Sequence, residues 1–410
     1  MSVALVAALD TKAEDAAFLA ARLRSRGHEV TIVDVGVLGP PGIAADVPRE
    51  AVAAAGGRAH AELVAAGDRS LAVTVMAAGA THVLSELHAR GQLDGALAIG
   101  GGAGTTIGAT ALRELPLGLP KVVLSTLAVD AARFVGTSDI VMFPSLVDIA
   151  GVNRVSAITY ARAADALAGM VDGAADTRAD REAGRAPVVA ATMFGVTTPC
   201  VLRAKQRLEE GGCEVLIFHA TGVGGRMMER LIDDGLVDAV LDLTTTEWAD
   251  EVVGGILAAG PQRLEAAGRA GLPQVLSLGA TDMVNFGPLH AVPERFRRRC
   301  LYEHTAASTL LRVAPDEAAR IGAAIGGKLR AATGPTTVLI PARGVSALDV
   351  AGGPFDDPRA RAALADALRA QLAGTRVRVE EHDLHINDAA FADHLADHVL
   401  AGLVEVVAAR

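Results

Sequence analysis

Aromatic residues and cysteines are scarce in this chain of 410 residues, and no block of positive charge is present. The three cysteines, Cys200, Cys213 and Cys300, have no Cys-x-x-Cys spacing, which argues against a disulfide framework and a thiolate zinc site. Their odd number fits a reducing cytoplasm. A formal net charge of -10 argues against a nucleic-acid partner, because phosphate backbones require a concentrated basic face.

Long hydrophobic runs are also missing. The longest uncharged stretch, residues 95–112, contains six glycines and three threonines, which is unsuitable for a membrane span. The N-terminus lacks the basic lead-in of a signal peptide and reads as a first strand followed by a polar loop. We therefore expect a soluble cytoplasmic protein without a membrane partner.

Small aliphatic residues and glycine dominate the composition instead. Hydrophobic residues make up 51% of the chain, aromatic residues only 3%, and there are 44 glycines. Such a composition is typical of buried parallel strands covered by closely packed helices, so it predicts an α/β fold. Apolar runs with helical patterns between most of them predict the strands of a doubly wound N-terminal domain at residues 3–9, 29–35, 95–101, 121–128 and 139–145.

A domain boundary is predicted where the apolar periodicity stops. Residues 172–187 are mostly charged or small, as in a surface linker, so we expect a first domain over residues 1–178 and a larger α/β domain over residues 187–410. Further apolar runs start near residues 187, 214, 238, 273, 309, 336 and 377. This number of strand–helix units suits either a second doubly wound sheet or a barrel-like, mainly parallel sheet.

Two glycine-rich loops follow predicted strands, at the edge where parallel α/β folds bind ligands. In the first, residues 100–110, backbone N–H groups can approach an anion before a helix starts around Thr105 and Thr106. It has neither a Walker signature nor a dinucleotide-binding fingerprint, so phosphate binding and a merely tight turn are both open. The second, residues 219–230, opens a helix beside Arg226, and close helix–sheet packing explains it equally well.

Polar residues follow two later strands. Residues 241–251 end a strand with Asp242, three threonines and Glu247, which can present hydroxyls and a carboxylate to a substrate or to magnesium. The alternative is that Thr246 caps a helix. Asp282 follows the next strand, where a solvated turn would explain it as well.

Histidines provide the remaining candidates. His304 stands beside Glu303, and His382 and His385 follow a strand among several acidic residues. An HxxH pair near an aspartate can hold a metal, but acid–base work or substrate hydrogen bonding suits these residues better, because an imidazole titrates near neutral pH. Helix capping by the polar residues that follow is a further alternative, and metal binding stays undecided.

Ten segments spread along the whole chain resemble one family. They include LDTK (9–12), GGGAGTT (100–106), FHATGVGGRMME (218–229), LDLTTTEWADEVVGG (241–255) and HDLHIND (382–388). These segments resemble the Tm-1-like ATP-binding family, also known as UPF0261. The resemblance implies an N-terminal Rossmann-like domain, a larger C-terminal α/β domain, ATP binding and a homodimer or higher homo-oligomer. The positive mean hydropathy of +0.34 also favours self-association.

The chain departs from the family pattern in places. Ala103 stands where relatives often carry serine, Ala13 follows DTK in place of glycine, and residues 305–307 replace a common Asn-Pro. Loss of the serine hydroxyl would remove one phosphate hydrogen bond, worth about 0.5–1.5 kcal/mol, which would tune affinity without abolishing it.

The leading hypothesis is an enzyme that uses ATP and Mg²⁺ and acts on a small carboxylate- or sugar-acid-like substrate in a cleft between the domains. Lys12 would neutralise the nucleotide phosphates, and an exposed lysine at a helix start is its alternative role. The nucleotide-binding candidates are Asp10, Thr11, Lys12, Gly100, Gly101, Gly102, Gly104, Thr105, Thr106, Ser125 and Thr126.

The chemistry is assigned to the second domain, because glycine and threonine can hold phosphate but cannot move protons. The catalytic candidates are His219, Glu247, Asp282, His304 and His385. The substrate-binding candidates are Gly224, Gly225, Arg226, Thr244, Thr245, Thr246 and His382. Two other functions are open: a non-enzymatic ATP-responsive binding protein, and a lyase or hydrolase with a structural nucleotide.

Overall fold

The computed structural model describes residues 1–181 and 186–409. The chain divides into two compact units, Met1–Arg185 and Ala186–Arg410. The segment expected to be a linker begins inside a helix that extends to Arg181, so its first ten residues are helical. Composition suggested a linker because charged and small residues are common in linkers. Several of these residues, such as alanine and arginine, also have high helix propensity, so the helix can continue through them. The next four residues of that segment lie outside the described residues.

The described part of the first unit forms one five-stranded parallel sheet, which confirms its predicted strands. The strands are β1 (Ser2–Ala7), β2 (Glu29–Asp34), β3 (Gly95–Gly100), β4 (Lys121–Ser125) and β5 (Val141–Pro144). Their order is β2-β1-β3-β4-β5, the flavodoxin-like variant of the doubly wound fold. In this order β2 lies on one side of β1, and β3, β4 and β5 lie on the other. The switch point of the sheet therefore lies between β1 and β3.

Helices cover both faces of this sheet. They are α1 (Ala13–Ser25), α2 (Arg49–Ala55), α3 (His60–Ala66), α4 (Arg69–Ala89), α5 (Gly102–Arg113), α6 (Ala131–Val135) and α7 (Arg154–Arg181). Along β1, Val3 and Leu5 join the core with α1 and α7, whereas Ala4 and Val6 join the core with α2, α4 and α5. This alternation follows from the two-residue repeat of a strand.

Among the described helices, α4 is long and apolar enough by length and composition to cross a membrane. Met76, Ala80 and Leu84 on this helix are fully buried in the core of the first unit. A core helix passes the same test, so the feature carries no membrane assignment.

The described part of the second unit contains a six-stranded parallel sheet and a three-stranded antiparallel sheet. Its strands are β6 (Val188–Met193), β7 (Glu214–His219), β8 (Ala239–Thr244), β9 (Gln274–Gly279), β10 (Met283–Phe286), β11 (Leu301–Thr305), β12 (Ser308–Arg312), β13 (Thr336–Pro341) and β14 (Arg378–His382). The large sheet has the order β14-β13-β9-β8-β6-β7, with β14 and β7 as separate edges. The sheet is therefore open and the barrel alternative is wrong.

Both units repeat one topology. Counted within the second unit, the strands of the large sheet follow the order 2-1-3-4-5 with a sixth strand added beside the fifth. The switch point of this sheet lies between β6 and β8. No sequence repeat indicated this correspondence, because strand order depends on pairing and not on local composition.

The small sheet corrects one strand assignment. The apolar run starting at residue 309 was expected in the main sheet, but it forms β12, which pairs antiparallel with β10 and β11. β11 was not predicted, because four of its five residues are exposed and polar or aromatic and no apolar run marks it.

Helices also cover both faces of the large sheet. They are α8 (Thr198–Glu210), α9 (Val223–Asp233), α10 (Glu247–Val253), α11 (Ala266–Ala270), α12 (Pro315–Leu329), α13 (Pro358–Leu372) and α14 (Ala389–Ala409). α8 and α14 share one core with the sheet, and α12 and α13 share the core on its other side.

Candidate functional site

The switch point of the first sheet carries an open helix N-terminus. α5 starts at Gly102, and the preceding residue, Gly101, supplies no side-chain acceptor to its first turn. A side chain at Gly100 would collide with Gly104, because an ideal Cβ would lie 2.6 Å from that Cα. At Gly102, in contrast, nothing lies within 4 Å of an added Cβ. The backbone N–H groups of this twelve-residue helix are therefore accessible to an anion.

The loop after β1 borders the same switch point. Lys12 is half-buried, and its Nζ donates a hydrogen bond to the Ile149 carbonyl in the segment that follows β5. Asp10 is held within the protein, because its Oδ2 accepts hydrogen bonds from the N–H groups of Val37 and Leu38 at 3.0 and 2.7 Å. Thr11 is exposed.

Hydroxyl groups on the neighbouring loops bond to the protein itself. Thr105 and Ser125 are fully buried, with their hydroxyl oxygens 2.6 Å apart, and Thr105 also donates to the Gly100 carbonyl at 3.0 Å. The Thr106 hydroxyl donates to the Gly102 carbonyl at 2.9 Å. These side chains shape the loop, and the expected hydroxyl contacts of Thr105 and Ser125 with phosphate do not fit their burial. Thr126 remains partly exposed beside the loop.

The glycine loop of the second unit is occupied by a carboxylate of the chain. Glu247 is buried, and its Oε1 accepts hydrogen bonds from the N–H groups of Gly222 and Gly225 at 2.7 and 3.1 Å. A Cβ at Gly225 would lie 2.1 Å from Glu247 Oε2, so the loop closes directly onto this side chain. The loop does bind an anion, as its glycines indicated, but the anion is Glu247. This corrects the expected acid–base role of Glu247 and the substrate contact of Gly225, whereas a substrate contact of Gly224 stays a prediction.

Arg263 completes this buried cluster and was missed in the sequence. It donates from Nε to Glu247 at 2.7 Å and from Nη1 and Nη2 to Asp242 at 2.5 and 2.8 Å. Glu229 contacts Nη1 at 3.1 Å. Burial disfavours the charge of Arg263, but these carboxylates outweigh it and hold its pKa well above the ordinary value. No local signal marks Arg263, because it lies in an irregular segment and its partners are 16 to 34 residues away.

The three threonines at the end of β8, Thr244, Thr245 and Thr246, are also buried in the protein. Thr244 shares a hydrogen bond with the Thr197 hydroxyl at 2.8 Å, and Thr245 donates to the Ser277 carbonyl at 3.0 Å. Thr246 is fully buried. The hydroxyls of Thr244 and Thr245 are therefore held within the protein, which corrects their expected presentation to a substrate. Thr246 Oγ1 is buried without a partner among the described residues.

Asp282 lies in a second buried cluster. Its Oδ2 accepts a hydrogen bond from Ser346 Oγ at 2.8 Å, while Oδ1 has no partner among the described residues. Burial and the nearby carboxylate of Asp349 raise the pKa of Asp282 to about 7. Asp349 is itself paired with Arg361, whose Nη1 lies 2.6 Å from Oδ1. The Asp282 carboxyl is therefore held protonated to a higher pH than an ordinary aspartate.

His385 adjoins this cluster through Ser346. Its Nε2 lies 2.9 Å from the Ser346 carbonyl, and its Nδ1 accepts a hydrogen bond from the N–H of Asn387 at 3.1 Å. The two contacts occupy both ring nitrogens, with Nε2 against the Ser346 carbonyl and Nδ1 against the Asn387 N–H. Because both ring nitrogens are engaged, His385 positions the loop and is not free for the acid–base role expected of it.

The remaining candidates lie on the surface or at other contacts. His219 is exposed and packs edge-on against Phe194, with ring centroids 5.4 Å apart. His304 is exposed on β11, and Arg226 donates to the Ala258 carbonyl at 3.1 Å. Among the described side chains, no hydrogen bond, ion pair or ring contact joins any two of the five catalytic candidates. No direct contact therefore links these candidates, and their convergence on one substrate stays a prediction.

No metal site is formed by the parts of the chain that the structure describes. They hold no group of three or more His, Cys, Asp or Glu side chains placed to bind an ion. His382 stacks on His394 with ring centroids 4.8 Å apart, whereas His385 contacts Ser346, so the HxxH pair serves two separate contacts.

A cavity of about 250 Å³ borders the Asp282 cluster on the α13 side of the large sheet. Its apolar wall includes Leu278, Ile340 and Val345, and Arg361 and Arg369 contribute guanidinium groups. Because Leu278 and Ile340 lie near the carboxyl ends of β9 and β13, this cavity occupies the usual ligand-binding edge of a parallel sheet.

These features define a two-domain α/β protein built from two open, doubly wound sheets. Residues 1–176 match the N-terminal domain, and residues 186–403 the C-terminal domain, of the Uncharacterised protein family (UPF0261). The chain belongs to this family, and the predicted resemblance is confirmed.

Relatives from bacteria and a plant match over long stretches. A UPF0261 protein of Clostridium tetani is 43% identical over 97% of this chain and 98% of its own length. A UPF0261 protein of Rhizobium meliloti is 45% identical over 95% of this chain and 96% of its own. The ToMV resistance protein Tm-1(GCR237) of Solanum lycopersicum is 43% identical over 81% of this chain, which corresponds to 44% of the tomato protein.

Proposed function

We propose that the first unit binds the phosphates of ATP at the N-terminus of α5. The observation that carries this proposal is the unfilled first turn of α5 at the switch point of a 2-1-3-4-5 sheet, the position where such folds hold phosphate ligands. Lys12 lies on the adjacent loop and supplies a positive charge at the same edge.

Magnesium would be held chiefly by the nucleotide. Mg²⁺ keeps several waters and takes one or two carboxylates together with phosphate oxygens, so a dedicated protein cage is unnecessary. Asp10 is the carboxylate of the β1 loop, and its Oδ2 is already bound by backbone N–H groups. The protein would therefore contribute at most one further oxygen from this residue.

The second unit would bind the small substrate. The cavity beside α13 has an apolar wall and two arginines that are paired with acidic side chains of the chain, Arg361 with Asp349 and Arg369 with Glu381. A short carboxylate- or sugar-acid-like metabolite would bind there through their remaining N–H donors. Asp282, whose pKa is raised toward neutrality by burial and by Asp349, is the candidate acid or base, and it lies behind the wall to which Arg361, the partner of Asp349, belongs. On this proposal the protein is an ATP-dependent enzyme of small-molecule metabolism.

A non-enzymatic ATP-responsive protein is the second candidate function. It is favoured by the structural engagement of Glu247 and His385, which leaves few free acid–base groups. Release of phosphate from ATP in the presence of a panel of small carboxylates separates the two. Phosphate release that depends on one of the carboxylates supports the enzyme. ATP binding with no phosphate release in the presence of every carboxylate supports the responsive protein.

ATP with Mg²⁺ is expected to raise the melting temperature, and Lys12→Ala or Gly102→Val is expected to weaken this effect. The first variant removes a phosphate charge, and the second places a branched side chain over the open N-terminus. At a ligand concentration one hundred times Kd, the stabilisation is about 2.7 kcal/mol. Differential scanning fluorimetry at millimolar ATP provides the measurement.

Two variants serve as matched controls for this experiment. Lys205→Ala removes a surface lysine paired with Glu209, and Gly327→Val changes a helical glycine of α12 that also has open surroundings. Both should respond to ATP like the unmodified protein. A wild-type melting temperature that ATP does not change, or equal shifts in all four variants, would contradict the phosphate site.

We also expect a homodimer or higher homo-oligomer. Leu38, Val129 and Leu146 follow β2, β4 and β5, and they are 87%, 91% and 74% exposed at the carboxyl edge of the first sheet. Burying them in a symmetric contact would remove apolar surface from water. Light scattering at micromolar concentration should give at least twice the mass of one chain, and Val129→Glu should lower it. A single-chain mass for the unmodified protein would count against self-association.

A further inference from the structure

We propose that the second unit carries a separate binding site for a small phosphate-bearing anion at the amino ends of β9, β13 and β14. The site is a cavity of about 230 Å³ whose remaining wall is formed by α14. Its lining residues differ from those of the cavity beside α13, and the proposed nucleotide site belongs to the other unit. The inference is therefore independent of the proposed function.

Two arginines without acidic partners give this cavity its positive charge. Arg376 lies at a bend just before β14 and Arg378 is the first residue of that strand, and both exposed side chains line the cavity. Among the described side chains, neither arginine forms an ion pair or a hydrogen bond. Neighbouring arginines behave differently, since Arg369 pairs with Glu381 and Arg343 with Asp383. Two exposed guanidinium groups that share one cavity and have no counter-charge among the described side chains are the feature from which we infer an anionic ligand.

The other polar groups of the cavity are fixed in place. Gln274 is buried and donates to Thr336 Oγ1 at 3.1 Å, and this hydroxyl donates to the Gly334 carbonyl at 3.1 Å. His398 on α14 is held 3.2 Å from Glu380. One carboxylate, Glu405, also lines the cavity. Two guanidinium groups against this single carboxylate leave a net positive lining before any charge on His398 is counted.

The size of the cavity and the type of donor define the class of ligand. Pockets for drug-sized ligands usually measure about 300–1,000 Å³, so this cavity suits a small metabolite and is too small for a nucleotide. Guanidinium groups bind carboxylate and phosphate oxygens alike, but two of them match the two negative charges of a phosphate monoester better than a singly charged group. A ligand held between the strand ends and α14 would also fix the second half of that helix.

Calorimetric titration with inorganic phosphate and with glycerol 3-phosphate tests the site, at ionic strength held constant with sodium chloride. We expect binding of both, with glycerol 3-phosphate the tighter ligand if the site recognises an ester. The double variant R376Q/R378Q should weaken Kd at least tenfold, and R378K should weaken it less because the charge remains. Arg320→Gln, an exposed arginine of α12 outside the cavity, should bind like the unmodified protein.

Further variants distinguish this site from the nucleotide site. Lys12→Ala and Gly102→Val should keep phosphate binding to the second unit, whatever their response to ATP. The single variants R376Q and R378Q replace the double variant if its melting temperature without ligand falls. Unchanged affinity in these arginine variants, absence of binding to the unmodified protein, or tighter binding of succinate than of either phosphate ligand would overturn the proposal.

Discussion

Replacing Arg263 with methionine is expected to lower the free energy of unfolding of the second unit by about 3–5 kcal/mol. The arginine is only 2% exposed and compensates Asp242 and Glu247, which are 2% and 1% exposed. Methionine fills similar space but leaves two buried carboxylates without a counter-charge. Glu247 would also hold the Gly222–Gly225 loop less firmly, since its second oxygen loses its partner. The shift of the urea unfolding midpoint measures the loss.

Arg269→Met is the matched control for that substitution. Arg269 pairs with Asp233 at 2.6 Å, but both side chains are about half exposed. Exposed pairs contribute about 0–1 kcal/mol, so this variant should unfold close to the wild-type midpoint. Similar losses in the two variants would show that the buried cluster is not specially stabilising.

Asp282→Asn is expected to stabilise the protein above neutral pH and to reduce the pH dependence of its stability. Burial and Asp349 raise the pKa of Asp282 to about 7 in the folded protein, against 3.8 for the free group. Between these values the folded chain keeps a proton that the unfolded chain releases. The free energy of unfolding therefore falls as the pH rises through this window, by about 1.4 kcal/mol per pH unit.

The asparagine variant keeps an oxygen for Ser346 Oγ but carries no charge to bury. At pH 8 it should exceed the wild type by up to about 4 kcal/mol, and at pH 4 the two should unfold alike. Urea unfolding at several pH values gives the slope of the unfolding free energy against pH for the wild type and for the variant.

Asp250 also has a pKa raised to about 7 by burial, so part of this pH dependence should remain in the Asp282→Asn variant. Asp366→Asn, at an exposed site, should leave the slope unchanged, and a wild-type slope in Asp282→Asn would disprove the assignment.

The candidate site could be predicted only in part. The sequence correctly indicated that glycines open two helices at the carboxyl edges of strands, because loop composition is local. Whether such a loop is available to a ligand depends on residues far along the chain. Gly102 faces open space, whereas the loop at Gly225 is closed by Glu247, 22 residues later.

The sequence by itself determined the α/β class, the positions of most strands and the family. These properties follow from apolar runs, turn residues and ordered motifs, all of which are encoded within short segments. Strand β11 escaped prediction because an exposed strand has no apolar run to mark it.

The tertiary structure alone decided the strand order, the open edges of the large sheet and the buried partners of the polar residues. Strand order arises from pairing between distant segments, and one topology recurs in both units without a sequence repeat. The partners of Asp242 and Asp282 lie 21 and 64 residues away, at Arg263 and Ser346. A polar residue after a strand looks the same in sequence whether it faces solvent or a buried counter-charge, because the difference is created by packing.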